Sequence, residues 1–318
     1  MKNAGRIVLV GIALAVGTLP ALAVEQALGR TLPGLWVMPQ GGVVPTEAGF
    51  SFTMMPVGYM GKISGGTEVP IGGQLYGHIT ADLSENLLVP QYVYKTELTK
   101  VSLSSAFYLP VNWIGLTAAT QFNGSPLARA SSSTSGLADV FFTPLTVGFH
   151  FSETNNLAIS TRIFAPTGPY HRGNLSNLGM AMNEWTIEPN VTHTFLWKKR
   201  GMEFDNYIGF DIYSENPTTR YTSGTVFNWA GMVVQYFSPK FGVGAVVSNI
   251  TQITNDTGPL ANRLHGFRLN AWGAGPTVLY VAKAKNPSMM LQFRWVDTFT
   301  ATNTVKGNAL MFGLTFGL

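Results

Sequence analysis

Between residues 184 and 197 the chain reads "EWTIEPNVTHTFLW". Trp185, Ile187, Pro189, Val191, His193, Phe195 and Trp197 fall on one side of a period of two, and Glu184, Thr186, Glu188, Asn190, Thr192 and Thr194 on the other. A strand sends alternate side chains to opposite faces, so this segment is apolar on one face and polar, with two carboxylates, on the other. In a soluble sandwich the apolar face packs on a second sheet. In an outer-membrane barrel lipid takes the apolar face and a wet lumen takes the polar one.

The same pattern recurs. In "DVFFTPLTVGFHFS", Phe141, Leu145, Val147, Phe149 and Phe151 oppose Thr146, Gly148, His150 and Ser152. In "MEFDNYIGFDIY", Phe204, Ile208, Phe210 and Ile212 oppose Glu203, Asp205, Tyr207, Asp211 and Tyr213. "NLAISTRIFA" and the terminal "NALMFGLTFGL" behave alike. Helical spacing fits none of these segments well. The connections alternate too: short turns at 152–156, 197–201, 238–240 and 284–287 are separated by longer links near 166–182, 214–223, 252–266 and 299–307. Short turns on one rim and long loops on the other characterise outer-membrane barrels, the short ones being periplasmic.

Strands are predicted near 139–152, 156–165, 184–197, 202–213, 224–237, 241–251, 267–282, 288–298 and 307–318. Upstream, "LLVPQYVYK" and "VSLSSAFYLPV" form a hairpin across "TELTK", and "GFSFTMMPVGYM" supplies a first strand. The fold class expected is therefore all-β: a transmembrane antiparallel up-and-down β-barrel of about twelve strands, with both termini on one side. From Trp185 to Trp197 the path at ~3.3 Å per residue and a tilt near ~40° gives roughly 30 Å of height, so the two tryptophans bracket an apolar band of about 25 Å as an aromatic girdle. Pro189 removes a ladder donor in mid-strand and predicts a bulge or locally irregular pairing.

The compartment is read from the first 23 residues. Lys2 and Arg6 precede "IVLVGIALAVGTLPALA", an apolar run closed by Ala21-Leu22-Ala23, which is the form of a cleaved secretory signal peptide. Beyond it no run of about 18 apolar residues could make a spanning helix. Yet mean hydropathy is +0.16 and charged residues make up 11% of the chain, against about 25% in ordinary soluble domains. A secreted chain this apolar without a spanning helix points to a barrel. Cysteine is absent, so neither disulfides nor thiolate metal sites are expected. Without Lys2 and Arg6, 18 basic residues face 16 acidic ones, which leaves no nucleic-acid footprint.

The domain division expected is 1–23 signal peptide, 24–46 an N-terminal segment that plugs the lumen or sits in the periplasm, and 47–318 the barrel. The Gly-rich stretch 61–84 and the Ser-rich stretch 123–136 read as extracellular loops.

The candidate lumen or constriction set is Arg162, Glu184, Glu188, Glu203, Asp205, Asp211, Gln292 and Arg294. On adjacent strands these lie within pairing range. Either they bind one another or a plug and merely keep the interior polar, or they form a charged constriction that selects solutes. For catalysis the histidines offer little: there is no zinc-protease helix motif and no Gly-x-Ser-x-Gly elbow. His150 falls beside Ser152 on the proposed lumen face, at a turn and without an evident orienting acid; His193 faces outward near the lower rim. No metal site and no cofactor are expected.

Several stretches carry a family likeness. "GLADVFFTPLTVGFHFS", "IFAPTGPY", "NLGMAMNEWTIEPNVTHTFLW", "GVGAVVSNITQITNDTG" and "GAGPTVLY" resemble the phenol meta-pathway (MetA-type phenol degradation) family of outer-membrane β-barrel transporters, from about residue 32 to the end, with the Asp139 and Pro144 context fairly specific. The resemblance implies a channel for passive uptake of hydrophobic or aromatic small molecules into the periplasm, and it brings no catalytic residues. One departure is the terminus: such barrels usually end in Phe, whereas here Phe316 precedes Leu318 by two. An apolar entrance lined by loop residues suits hydrophobic solutes, with Tyr170, Met180 and Met182 as candidates. The expected partners are outer-membrane lipid and lipopolysaccharide, a hydrophobic solute, and the barrel-assembly machinery during biogenesis. Two rival classes remain: a barrel enzyme acting on lipid, and a structural barrel with a closed lumen.

Overall fold

The computed structural model describes residues 25–63, 68–122, 125–283 and 288–317. The expected signal peptide and the short turn at 284–287 lie outside the described residues. In chain order the strands are β1 (Gly49–Ile63), β2 (Val69–Ile71), β3 (Gln74–Tyr94), β4 (Val101–Phe122), β5 (Ser125–Leu137), β6 (Phe141–Ser152), β7 (Asn155–Phe164) and β8 (Thr186–Trp197). They continue as β9 (Met202–Tyr213), β10 (Glu215–Asn216), β11 (Tyr221–Thr222), β12 (Val226–Ser238), β13 (Phe241–Gln252), β14 (Asn270–Lys283), β15 (Ser288–Thr302) and β16 (Lys306–Gly317).

Twelve of these close a ring of antiparallel neighbours, β1-β3-β4-β6-β7-β8-β9-β12-β13-β14-β15-β16 and back to β1. Closure is made by β16 on β1, from Ser51 opposite Gly317 to Lys62 opposite Lys306. A closed ring leaves no sheet edge in the hydrocarbon, which is the condition for crossing a bilayer with strands. Among the described residues no helix is long and apolar enough to cross a membrane.

The outer surface shows why the alternation exists. Ile187, Ile212, Leu291, Trp295, Leu310 and Phe312 are all exposed, as are the two bracketing tryptophans, Trp185 at 50% and Trp197 at 44%. So continuous an apolar exterior has no place in water and matches lipid. The barrel is a transmembrane one.

Three details differ from the sequence reading. Residues 61–84 are not a loop: most of them build the end of β1, the short β2 and the upper half of β3. There the outward residues are polar (Thr80, Asp82) and the inward ones apolar (Ile79, Ala81, Leu83), the reverse of the lipid zone, because the wall outside and above the bilayer meets water. Residues 123–136 are likewise largely strand, β5, paired with the upper half of β4. The link expected at 299–307 shrinks to 303–305, because β15 runs on to Thr302. At Pro189 the expected disturbance takes the form of irregular pairing and not of a bulge. The β8–β9 ladder lapses at Glu188 and Pro189 and resumes in the same register, Ile187 opposite Ile212 and Asn190 opposite Gly209.

Residues 25–44 pack against the inner face of the wall. Leu32, Leu35, Trp36, Val37 and Val44 are buried there, and the backbone is tied to the wall at several heights. Arg294 of β15 donates to the carbonyls of Gly34 and of Val37. Gln40 N donates to Glu203 Oε1 at 2.7 Å and Gly42 N to Thr194 Oγ1 at 3.0 Å. Because this segment has no strand partner, its backbone polar groups depend on such side chains.

Candidate channel cavity and lumen network

Along its length β4 changes partner. From Val101 to Tyr108, β4 pairs with β6; from Val111 to Phe122 it pairs with β5. Residues 138–140 between them are not strand. β7 ends at Phe164 opposite Phe141, so above that level β5 has β4 as its sole ladder partner among the described residues. The chain segment 165–185 covers the space beside it: Leu175, Leu178, Met180 and Met182 are buried, and Gly173 N and Asn177 are tied in by Gly72 O and the His171 backbone.

Behind this break lies a cavity of about 100 Å³, bounded by the plug (Leu28, Leu32, Leu35, Trp36), the wall (Val57, Leu83, Phe141, Phe164) and the covering segment (Met180, Met182). Its surface is mostly apolar. An engineered cavity of about 150 Å³ accommodates benzene, so the space is close to that of one small ring, and the two methionines can readjust around a larger one.

Asp139, at the break itself, organises the surroundings. Its Oδ2 accepts from Arg30 Nη1 at 2.7 Å and from Met182 N at 2.9 Å, and its Oδ1 accepts from Gly168 N at 2.8 Å. Arg30 also donates to Thr186 Oγ1 at 2.9 Å and to the carbonyl of Glu184 at 2.8 Å. One carboxylate thus fastens plug, covering segment and wall. Sequence reasoning passed over Arg30 because residues 24–46 do not alternate, and it noticed Asp139 only as context.

The charges of the lumen set lie inside the barrel, and the plug covers them. Arg162 Nη1 donates to both Glu188 oxygens, at 2.9 and 3.2 Å, and its guanidinium stacks 3.8 Å from the Trp36 ring centroid. Tyr207 donates to Glu188 as well. Asp211 accepts from Asn228 Nδ2 at 2.9 Å, Asp205 from Thr194 Oγ1 at 2.6 Å, and Glu203 from Tyr236 OH at 2.9 Å besides Gln40 N. Gln292 reaches Thr277 Oγ1 at 3.3 Å. Glu184 precedes β8 rather than lying on it, and accepts from Ser223 Oγ at 3.3 Å. The geometry is that of a network joining wall to wall and wall to plug. Of the three suggested entrance residues, Met180 and Met182 line the cavity. Tyr170 does not; its hydroxyl accepts from Asn216 Nδ2 at 3.0 Å in the loops above.

His150 has different neighbours from those expected. Its Nε2 stands 2.9 Å from Ser102 Oγ and its Nδ1 2.8 Å from Asn156 Oδ1, while Ser152 bonds Thr154 instead. Serine, histidine and asparagine in line have the connectivity of a nucleophile relay. Here, however, Ser102 is 1% exposed, and Val44 of the plug lies so close that a Cβ on neighbouring Gly148 would sit 2.6 Å from it. That hydroxyl is buried in the wall and does not line the cavity. His193, on the outer face, pairs with Asn155 Oδ1 at 2.8 Å. Among the described residues no group of His, Asp and Glu side chains could hold a metal ion.

Comparison with solved structures places this architecture. The COG4313 outer membrane channel from Pseudomonas putida F1 superposes with a TM-score of 0.65 at 14% identity, over 91% of this chain and 100% of that one. A FadL homologue of Pseudomonas aeruginosa aligns with a TM-score of 0.44 at 10% identity, over 95% and 98% of the two chains. A mutant of the TodX monoaromatic hydrocarbon channel aligns with a TM-score of 0.42 at 9% identity, over 87% and 91%. The first establishes the fold as that of an outer-membrane channel. No curated protein matches the chain by sequence. Residues 62–314 match the family described as "Putative MetA-pathway of phenol degradation", and the chain belongs to that family.

Proposed function

We propose that the barrel passes apolar small molecules, aromatic or hydrocarbon-like, through the outer membrane into the periplasm by passive diffusion. The observation that carries this reading is the apolar cavity between plug and wall, placed directly behind the stretch of the wall where β4 exchanges β6 for β5. A polar pore would offer such solutes no gain over water, whereas an apolar pocket removes their surface from it. The family, and the monoaromatic hydrocarbon channel among its structural neighbours, agree with that solute class.

The route follows from the same geometry. A solute enters beside β5, where the ladder has one partner, passes Met180 and Met182, and rests against Trp36. Its onward path requires the plug to shift. The outer belt meets lipid, and lipopolysaccharide where the wall rises above it; β16, which closes the ring on β1, is the strand for assembly machinery to read. The reading assigns no catalysis to the chain; the Ser102 hydroxyl of the relay is buried in the wall.

Uptake of labelled toluene at low concentration, compared between cells with and without the gene, tests the proposal. Slower uptake in the deletion strain is expected; equal rates would overturn it. The plug favours one rival, a closed structural barrel, which predicts zero single-channel conductance together with equal uptake.

A further inference from the structure

The cavity has an uneven polar inventory. Most of its donors are spent: Arg30 serves Asp139, Thr186 and Glu184; Gln26 Nε2 donates to Ala181 O at 2.7 Å; Thr31 Oγ1 donates to Leu32 O at 3.2 Å; on the plug side the Trp36 indole Nε1 is a buried donor without a partner. Asn112 Nδ2 donates to Gly179 O at 2.7 Å and faces Glu85 Oε2 at 3.4 Å. Two acceptors around that nitrogen fix which end of the amide it is, because the flipped amide would set oxygen against oxygen. Asn112 Oδ1 is then a buried acceptor with no partner. Beside it, half-buried Glu85 has no ion pair, and its one hydrogen bond among the described residues is that long contact from Asn112. Asp139, the other carboxylate on the lining, is saturated by Arg30 and two backbone amides.

A buried polar group without a partner is costly, and on the wall side of the cavity the under-used groups are acceptors, the Glu85 carboxyl and Asn112 Oδ1, next to each other on β3 and β4, with Asn112 opposite Glu85 in the ladder. From this we infer that the cavity selects apolar molecules whose head donates a hydrogen bond, an ammonium or a hydroxyl on a ring or short chain, over bare hydrocarbons and over carboxylates. The inference rests on the proposal that the cavity is the solute site. The apolar body lies against Trp36, Phe141 and Phe164, and the head reaches Glu85 and Asn112. A carboxylate head meets the acceptor oxygens of Glu85 and Asn112 with no spare cation to offset them, and a hydrocarbon leaves both acceptors unmet.

The test uses the full-length mature barrel in nanodiscs and four fluorinated probes on one ring: fluorotoluene, fluorobenzyl alcohol, fluorobenzylamine and fluorobenzoate. Fluorine line broadening is read against empty nanodiscs, so that partition into lipid is subtracted. The amine and the alcohol are expected to bind at least ~10-fold more tightly than the other two, which corresponds to about 1.4 kcal/mol. Glu85→Leu should bring the amine and alcohol down to the level of the hydrocarbon while the hydrocarbon still binds. Glu85→Gln should lower the amine and spare the alcohol, and Glu85→Lys should move the preference to the carboxylate. Unchanged heat-modifiable mobility shows that each variant has folded. Equal binding of all four probes, or an unaltered ranking in Glu85→Leu, overturns the selectivity and leaves the cavity as solute site; absence of binding by every probe overturns both.

Discussion

Arg30 of the plug and Asp139 of the wall meet at 2.7 Å with side chains 6% and 4% exposed, and this pair is the point at which the plug, the covering segment and the break between β5 and β6 are joined. Removing one partner of a buried pair leaves a charge without compensation, which costs about 3–5 kcal/mol, whereas replacing both by apolar groups costs far less. Asp139→Leu is expected to be the worse single change, because it also strands the amides of Gly168 and Met182. The order of unfolding midpoints should be parent, then Arg30→Met with Asp139→Leu combined, then Arg30→Met, then Asp139→Leu. Single-channel recordings should show ion leakage rising in the same order, least in the parent and most in Asp139→Leu. A double variant no better than Asp139→Leu would contradict the argument.

How much of this was legible in the sequence depends on what fixes each residue. The outward pair Trp185 and Trp197 and the inward pair Arg162 and Glu188 follow from strand alternation alone, since neighbouring strands in register bring Arg162 opposite Glu188. Arg30 could not be read that way: its segment has no period, and its position is set by contacts more than a hundred residues away in the chain. Glu85 was in principle readable. Leu83, Glu85 and Leu87 share a face, and a carboxylate on an apolar face signals a demand for a partner. The glycines and polar residues around it disguised the strand, because the outer surface of the barrel above the bilayer is polar, and a rule tuned to a lipid-facing exterior reads such a stretch as loop.

Near the periplasmic end the plug approaches the wall too closely for a side chain. A Cβ on Gly42 would lie 2.6 Å from Thr194 N and 2.8 Å from Asn156 O, both backbone. Gly42→Ala is therefore expected to lift the plug there, costing the Gly42 N to Thr194 hydrogen bond and raising conductance. Gly58→Ala, with nothing within 4 Å of its new methyl group, is the matched control and should conduct like the parent. Equal conductance in the two would show that the approach is not what seals the lumen.

Arg294 is 2% exposed, and its two Nη atoms donate to plug carbonyls rather than to a carboxylate. Arg294→Met keeps the length of the side chain but leaves the Gly34 and Val37 carbonyls unmet, at about 1–3 kcal/mol for each group so stranded. The barrel should still close, because β15 keeps both ladders. Limited proteolysis should then cut residues 25–46 faster while the strands remain protected. Parallel loss of strand protection would mean that Arg294 supports the wall rather than the plug.

The docking of the plug should also depend on pH, through an acidic group outside the strands. Burial raises the Glu25 carboxyl from 4.5 to about 7 against the opposing effect of hydrogen bonds from Asn216 and Thr219, and Tyr170 lies beside it. Burial also raises Asp256, to about 8, and Glu184, which Arg30 pulls partly back. An acid whose folded value exceeds its free value is held in the neutral form by folding, so its contribution is complete below about 4.5 and declines as pH rises to about 7. Asp256 has the same sign and extends the decline to about 8. Cleavage after Arg30 by an excess of trypsin, corrected for the protease's own pH profile on a peptide of the same sequence, should accelerate across that window. Glu25→Gln should flatten the part below about 7 and leave the part near 8. A Glu25→Gln profile that tracks the parent throughout would place the titration elsewhere in the loops.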